Sequence, residues 1–227
     1  MTGKLQFIGL ALLVCVLLSG GCNEAQKEIP STPAEKEKTK LIKQVDRKFS
    51  DSQAHLRLGQ LYQADKLWGQ AEEHYSIALS FDPTNRAAQA ARVKVLFGKG
   101  DTAKAKLLAE EYMKQASNLA AESLNLALEF QTQGLDDYAI LCYQQALNRA
   151  PNSAKVNRQI GYYYLGKNDK VRAQEYLTRS FQLNSNQPDV ASELGQLGVA
   201  VQIPEKTEKN TSNLDKTVDR YNNKAKQ

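Results

Sequence analysis

The sequence predicts an all-α chain, a helix–turn–helix solenoid of four repeats closed by a C-terminal capping helix. Three observations predict it. The stretch LGQLYQADKLWGQAEEHYSIALSFDP, Leu58 to Pro83, superposes without a gap on LALEFQTQGLDDYAILCYQQALNRAP, Leu126 to Pro151, at an offset of 68, twice 34. A weaker copy lies midway, RVKVLFGKGDTAKAKLLAEEYMKQAS, and another 34 residues beyond the last, IGYYYLGKNDKVRAQEYLTRSFQLNS. Small and bulky residues alternate at fixed places in the copies, and turn-forming residues mark their middles and ends. A fixed period of this length is the signature of a repeat architecture in which each unit is one supersecondary element.

The chain opens differently. Lys4 is followed by the apolar run LQFIGLALLVCVLLSGG. A basic start, a short apolar stretch and a small-residue exit describe a secretory signal peptide over residues 1–21. The run is shorter than the ~20 apolar residues a membrane-spanning helix requires; an uncleaved signal anchor is the alternative. Residues 22–51 carry Pro30, Pro33 and many lysines and glutamates with few apolar side chains, a composition that cannot bury a core. This segment is expected to be a flexible linker, spanning roughly 25–30 Å over about 25 residues. Leu41, Ile42, Val45 and Phe49 recur at helical spacing, so a capping helix is expected near 39–49.

The repeats occupy 52–85, 86–119, 120–153 and 154–187, beginning at Ser52, Arg86, Ala120 and Ala154. The seventh residue is large and apolar in three of them (Leu58, Leu126, Ile160), and the eighth is small in the same three (Gly59, Ala127, Gly161). The eleventh is bulky throughout (Tyr62, Leu96, Phe130, Tyr164), and the twentieth is alanine throughout (Ala71, Ala105, Ala139, Ala173). The twenty-fourth is mostly large (Tyr75, Tyr143, Leu177) and the twenty-seventh mostly small (Ala78, Ala146, Ser180). Small residues let two antiparallel helix backbones approach while bulky ones fill the space beside them. Pro83 and Pro151 end helices, and Gly100-Asp101 and Asn168-Asp169 are expected to supply a turn and an N-cap.

These residues resemble the tetratricopeptide repeat, which implies a stack of helix–turn–helix hairpins. The pattern departs from that family in two ways. Its fourth-position tryptophan is absent, with His55, Gln89, Ser123 and Asn157 in its place. The second repeat has Arg92 and Val93 for the apolar–small pair, Ser117 for proline, and Ala109 and Tyr112 in inverted size order. That inversion roughly conserves volume, which cores tolerate better than a change in total. The segment 188–203 is expected to be the capping helix, with Asp189 as its N-cap and Leu194-Gly195 in the register of a fifth repeat. Residues 204–227 form a polar tail expected to be disordered; Leu214, Val218 and Tyr221 stand at helical spacing within it.

Leu18-Ser19-Gly20-Gly21-Cys22 resembles the lipobox of bacterial lipoproteins, although Ser19 stands where that family prefers leucine. The resemblance implies that Cys22 becomes the lipidated N-terminus, its thiol taking the diacylglyceryl group; an ordinary signal peptide with an incidental cysteine is the alternative. Asn23, not aspartate, follows it, which by the same resemblance favours the outer membrane of a Gram-negative envelope. Cys142 is then the one cysteine of the folded part, and a buried free cysteine acts as a small hydrophobe.

The formal charge of +5 is mild and dispersed, which argues against nucleic acid as a partner. No metal-ligand spacing, phosphate loop, nucleophile elbow or paired-carboxylate signature occurs, so no cofactor, no small-molecule substrate and no catalysis are expected. His74, beside Glu72 and Glu73, is expected on a solvated helix face. The family resemblance implies instead a protein-binding scaffold that holds a peptide or helix of another envelope protein on its concave side. It places in that groove Gln53, Gln60 and Gln63, then Lys94 and Phe97, then Leu124, Leu128 and Gln131, then Lys155, Arg158 and Tyr162, with Gln196 on the cap. They grade from amide-rich through apolar to basic, matching a segment with an apolar centre and one acidic end. The carboxylate clamp of some family members is incomplete, because Leu56 and Gln159 stand where a lysine and an arginine are needed beside Lys155. The alternatives are a lipoprotein of pilus or secretion-system assembly, which LNSNQPDVASEL (Leu183 to Leu194) resembles, and a self-associating structural protein.

Overall fold

A computed structural model of the chain describes residues 32–202. The expected signal peptide, Cys22 and the tail at 204–227 lie outside the described residues. Among the described residues all regular structure is helical. The order is α1 (Pro33–Arg47), α2 (Ser52–Ala64), α3 (Trp68–Phe81), α4 (Arg86–Lys99), α5 (Thr102–Ala116), α6 (Ala120–Thr132), α7 (Asp136–Arg149), α8 (Ala154–Gly166), α9 (Lys170–Leu183) and α10 (Pro188–Gln196). The helices α2/α3, α4/α5, α6/α7 and α8/α9 are the four hairpins of a tetratricopeptide-type solenoid, each first helix beginning at the residue where its repeat begins. None of the described helices is long and apolar enough to cross a membrane.

Each hairpin turns in the same way. The fifteenth repeat residue takes a left-handed conformation, at Lys66 (φ 58°), Gly100 (φ 87°), Gly134 (φ 68°) and Asn168 (φ 58°). The next N–H, of Leu67, Asp101, Leu135 or Asp169, donates to the carbonyl of Tyr62, Leu96, Phe130 or Tyr164 over 2.8–2.9 Å. This is the helix-terminating motif that satisfies last-turn carbonyls. Asp169 caps α9 as expected, accepting from the Arg172 N–H at 3.0 Å. Asp101 occupies the N-cap of α5 without a side-chain bond, and its carboxylate instead lies 3.5 Å from Lys99 Nζ.

Within the hairpins the packing follows size. A Cβ added to Gly59 would come within 2.5 Å of the Tyr75 ring, and one added to Gly161 within 2.6 Å of Leu177. The eighth residue therefore meets the twenty-fourth across the hairpin. The second repeat keeps this pair of positions with the sizes exchanged, Val93 and Ala109, both fully buried. Its other departures are coupled too. Tyr75 and Tyr143 donate their hydroxyls to Gln63 Oε1 (2.8 Å) and Gln131 Oε1 (2.5 Å), whereas Tyr112 accepts from Arg92 Nη1 at 3.3 Å. The tyrosine has moved three residues along the second helix, and in an antiparallel pair that brings it to the seventh position, where Arg92 needs a polar partner.

The four residues that replace the family's tryptophan are all buried, and each bonds a backbone carbonyl of the preceding loop or, for Ser123, of the last residue of α5. His55 Nε2 donates to the Phe49 carbonyl (3.0 Å), Gln89 Nε2 to Pro83 O (2.7 Å), Ser123 Oγ to Ala116 O (3.0 Å) and Asn157 Nδ2 to Pro151 O (3.1 Å). A buried polar side chain is tolerable only when so satisfied, and here it fixes the crossing from one hairpin to the next.

Both ends differ from expectation. The linker is helical from Pro33, where Thr32 and Glu35 form a capping box (3.2 and 2.6 Å) that the lysine–glutamate composition hides. The helix ends at Arg47, so Phe49 lies beyond it, 60 % exposed. Thirty-four residues before α3 is 34–47, so α1 lies in the register of a repeat's second helix. Its Val45 packs with Ala54 and Leu58 of α2, with Leu41 and Tyr62 alongside. At the other end Gln187, not Asp189, is the N-cap of α10, and its side chain bonds Ser180 and Asn184. The helix stops at Gln196, earlier than the expected 203, because Gly198 (φ 83°) sends the Val199 N–H back to Leu194 O.

Replacing Gly59 or Gly161 by alanine is expected to cost about 1–3 kcal/mol through overpacking. Lys66→Gly should raise stability, by up to about 1 kcal/mol, by relieving a left-handed non-glycine residue. Urea unfolding of the three variants checks both signs. Ala109→Tyr should be strongly destabilising alone and be largely rescued by adding Val93→Gly with Tyr112→Ala, read by the same melts.

Candidate functional site: the first-helix face and its cleft

The groove residues expected from the sequence fall into three groups. Gln63 and Gln131 are committed to the fold. Besides accepting from Tyr75, Gln63 donates to Gln133 Oε1 at 2.8 Å, linking the first and third repeats. Gln131 holds Tyr143. Leu124 is fully buried and Leu128 is partly buried against the core. Lys155 is buried, at 4 % exposure, and so does not stand out as a solvated cation.

The second group is engaged by the cap. Tyr162 donates its hydroxyl to Asp189 Oδ2 (2.8 Å), and Arg158 Nη1 lies 3.7 Å from the same oxygen. Burial first, and then Asp189, push the Tyr162 hydroxyl above its ordinary value. The basic end of the expected gradient is therefore partly neutralised by a residue of α10.

The third group stays accessible. Gln53 and Gln196 are exposed, and Gln60 is half-buried, accepting from Arg57 Nη1 at 3.2 Å. Lys94 and Phe97 come together in a cleft of about 630 Å³ between the second and third hairpins. Its walls add Lys106 of α5, Gly134 and Leu135 of the α6–α7 turn, and Asp136, Asp137 and Tyr138 at the start of α7. The Phe97 and Tyr138 rings stand 6.2 Å apart, and Phe130 backs Tyr138 at 5.5 Å. Asp136 is held by Lys167 Nζ at 2.6 Å. The site is thus an aromatic floor with two lysines contributed from one hairpin and two aspartates from the next. The residues beyond Lys94 and Phe97 escape a pattern that takes groove residues from first helices alone. The usable signal is the offset: Tyr138 follows the turn one repeat after Lys104, where the other repeats have Gln70 and Arg172.

Two titratable groups lie elsewhere. Cys142 is a buried free thiol, pushed up to about 12 by burial, and so is unreactive at neutral pH. His74 is not on a solvated face. It is half-buried, stacks on Tyr62 (5.3 Å, 3° between planes) and lies 3.0 Å from His55 Nδ1 through its own Nδ1. Because His55 Nε2 must donate to the Phe49 carbonyl, a neutral His55 accepts from His74. Among the described residues no group of three or more His, Cys, Asp or Glu side chains is arranged to hold a metal.

No family model and no curated protein matches the chain. Several solved structures are similar to it. PilF of Pseudomonas aeruginosa is 26 % identical over 64 % of this chain and 67 % of its own, with a TM-score of 0.38. MamA of Desulfovibrio magneticus RS-1 is 19 % identical over 68 % and 87 %, with a TM-score of 0.39. TTC0263, a tetratricopeptide protein of Thermus thermophilus, is 14 % identical over 70 % and 88 %, with a TM-score of 0.40. The fold rests on the repeat register and hairpin geometry described above.

Burial, and then the charge of His55, lower the His74 pKa below 6.5, with Glu73 partly opposing. The folded state thus favours the neutral ring. The stability it confers is full above pH 6.5 and declines as pH falls below that value, because the unfolded chain binds the proton more readily. The melting temperature should fall between about pH 7.5 and about pH 5.5, and His74→Gln should flatten that slope in paired thermal melts.

Proposed function

We propose that the protein is a lipid-anchored, non-catalytic scaffold of the bacterial envelope, which holds a segment of another envelope protein in the cleft between its second and third hairpins. The observation that carries this reading is the cleft itself. Phe97, Leu135 and Tyr138 offer an apolar floor, with Lys94 and Lys106 on one side and Asp136, held by Lys167, and Asp137 on the other. That chemistry suits a peptide presenting an aromatic or branched apolar side chain with a carboxylate beside it; the apolar contact would supply most of the affinity and the lysines the orientation. The tether in this reading is Cys22, supported by the signal-peptide pattern and the small residues before it. No nucleic acid, cofactor or small-molecule substrate is part of it.

Crosslinking in the native envelope, read by mass spectrometry, tests the scaffold. A protein captured by the natural chain should be lost, by about tenfold or more, from Lys94→Glu/Phe97→Ala whose circular dichroism and melt remain those of a folded solenoid. Identical capture by both would remove the cleft as the site. Cys22→Ala should move the protein from the membrane to the soluble fraction; retention on the membrane would overturn the lipid anchor.

A further inference from the structure

The first helix carries a charge pattern that the scaffold reading does not use. Lys36, Lys40, Lys43 and Arg47 follow one another at steps of four, three and four, and all are exposed. At about 100° per residue they fall within an arc of roughly 60°, centred roughly 170° from Val45. Val45 is the residue through which α1 packs on α2. The basic stripe therefore points directly away from the solenoid. It lines a shallow groove of about 760 Å³ along the outer side of α1, with Glu35, Thr39, Gln44, Lys48 and Asp51 at its edges.

The acids of the helix are off this face or occupied. Glu35 accepts from the Thr32 N–H in the capping box, and Glu37 pairs with Arg57 of α2 at 2.6 Å. Asp46 lies to the flank, about 90° from the stripe's centre. Lys38, on the solenoid side, is taken by Asp65 and lies over the Tyr62 ring. Lys38 thus meets the solenoid while the stripe faces away from it, with Lys40 alone of the four acting on the charge of Glu37.

The stripe also begins close to the anchor. Thr32, the N-cap of α1, is ten residues from Cys22. Ten residues reach at most about 36 Å even when fully extended. A domain held so short presents α1 to the membrane surface more readily than any later helix. We infer that the outer face of α1 docks on anionic lipid headgroups of the membrane that holds Cys22, laying the first hairpin against the bilayer and turning the rest of the solenoid away from it. This rests on the lipid-anchor reading. Clustered lysines and arginines near an anionic surface attract it within about one Debye length, so the contact is salt-sensitive.

The test is lysine footprinting of the full chain, isolated from its host membranes and reconstituted into vesicles of phosphatidylcholine alone or with phosphatidylglycerol. Lys36, Lys40 and Lys43 should be acylated at least about threefold more slowly on the anionic vesicles, and the difference should vanish in about 1 M salt. Lys114 and Lys170, exposed on later helices, should react equally on both. Equal labelling of the stripe on the two vesicle types overturns the proposal. Protection that occurs only in the native envelope, and not on either vesicle, also overturns it in favour of a protein partner. The intact mass of the same preparation reports whether Cys22 carries lipid. Stripe protection on anionic vesicles without that lipid would support the surface and sink the anchor; lipid without protection would do the reverse.

Discussion

The structure depends on one contact repeated along the chain: the eighth residue of each repeat against the twenty-fourth. Where the first is glycine or alanine the second is tyrosine or leucine, and at Gly59 and Gly161 there is no room for even one more carbon. Protein interiors are packed like organic crystals, so such a contact fixes the separation of the two helices to a fraction of an ångström. Everything the hairpin presents outward, including the cleft beside Phe97, inherits its position from that spacing. The second repeat shows that the constraint is on the sum of sizes. Val93 and Ala109 meet it in reverse, and the displaced tyrosine answers the charge of Arg92.

A second constraint joins the hairpins. Stacking by apolar contact alone leaves the crossing loops free to slide. Here a buried imidazole, amide or hydroxyl at the fourth position of each repeat takes a carbonyl from the loop before it or, at Ser123, from the last residue of the preceding helix. Four different side chains perform one task, because what is needed is a donor of suitable reach. Histidine is the costly choice. It brings a second ring with it, His74, whose pKa is lowered by burial and then by the charge of His55, so that this junction alone among the four has a titratable imidazole pair.

The repeat register, the hairpin turns and the core are legible in the sequence because size alternation, turn chemistry and a fixed period all report the same thing. Lys66 does not read as a turn residue, since its left-handed conformation is imposed by the hairpin and not by its own preference. The start of α1 is hidden by charge: lysine and glutamate read as solvation unless Thr32, Pro33 and Glu35 are taken together as a helix start. The groove is only partly legible. Lys94 and Phe97, which the family pattern assigns to a partner, line an open cleft, whereas Gln63, Gln131 and Arg158, assigned by the same pattern, are held by Tyr75, Tyr143 and Asp189. A sequence pattern locates a face; it does not say which polar groups on that face the fold has already taken.

The ends of the solenoid follow from its phase. Its described helices begin on a second helix and finish on a first, so among the described residues α1 and α10 each stand without a hairpin partner. Correspondingly, α1 has Glu37 and Gln44 at the two positions that are alanine in α3, so the side that would receive a helix is polar. Solenoids need terminal elements with a polar outer face to stay soluble, and α1 meets that need. Solubility requires only polarity, of either sign or none. A face whose central strip is basic, set opposite its buried residue and ten residues from Cys22, meets a narrower requirement than capping alone imposes.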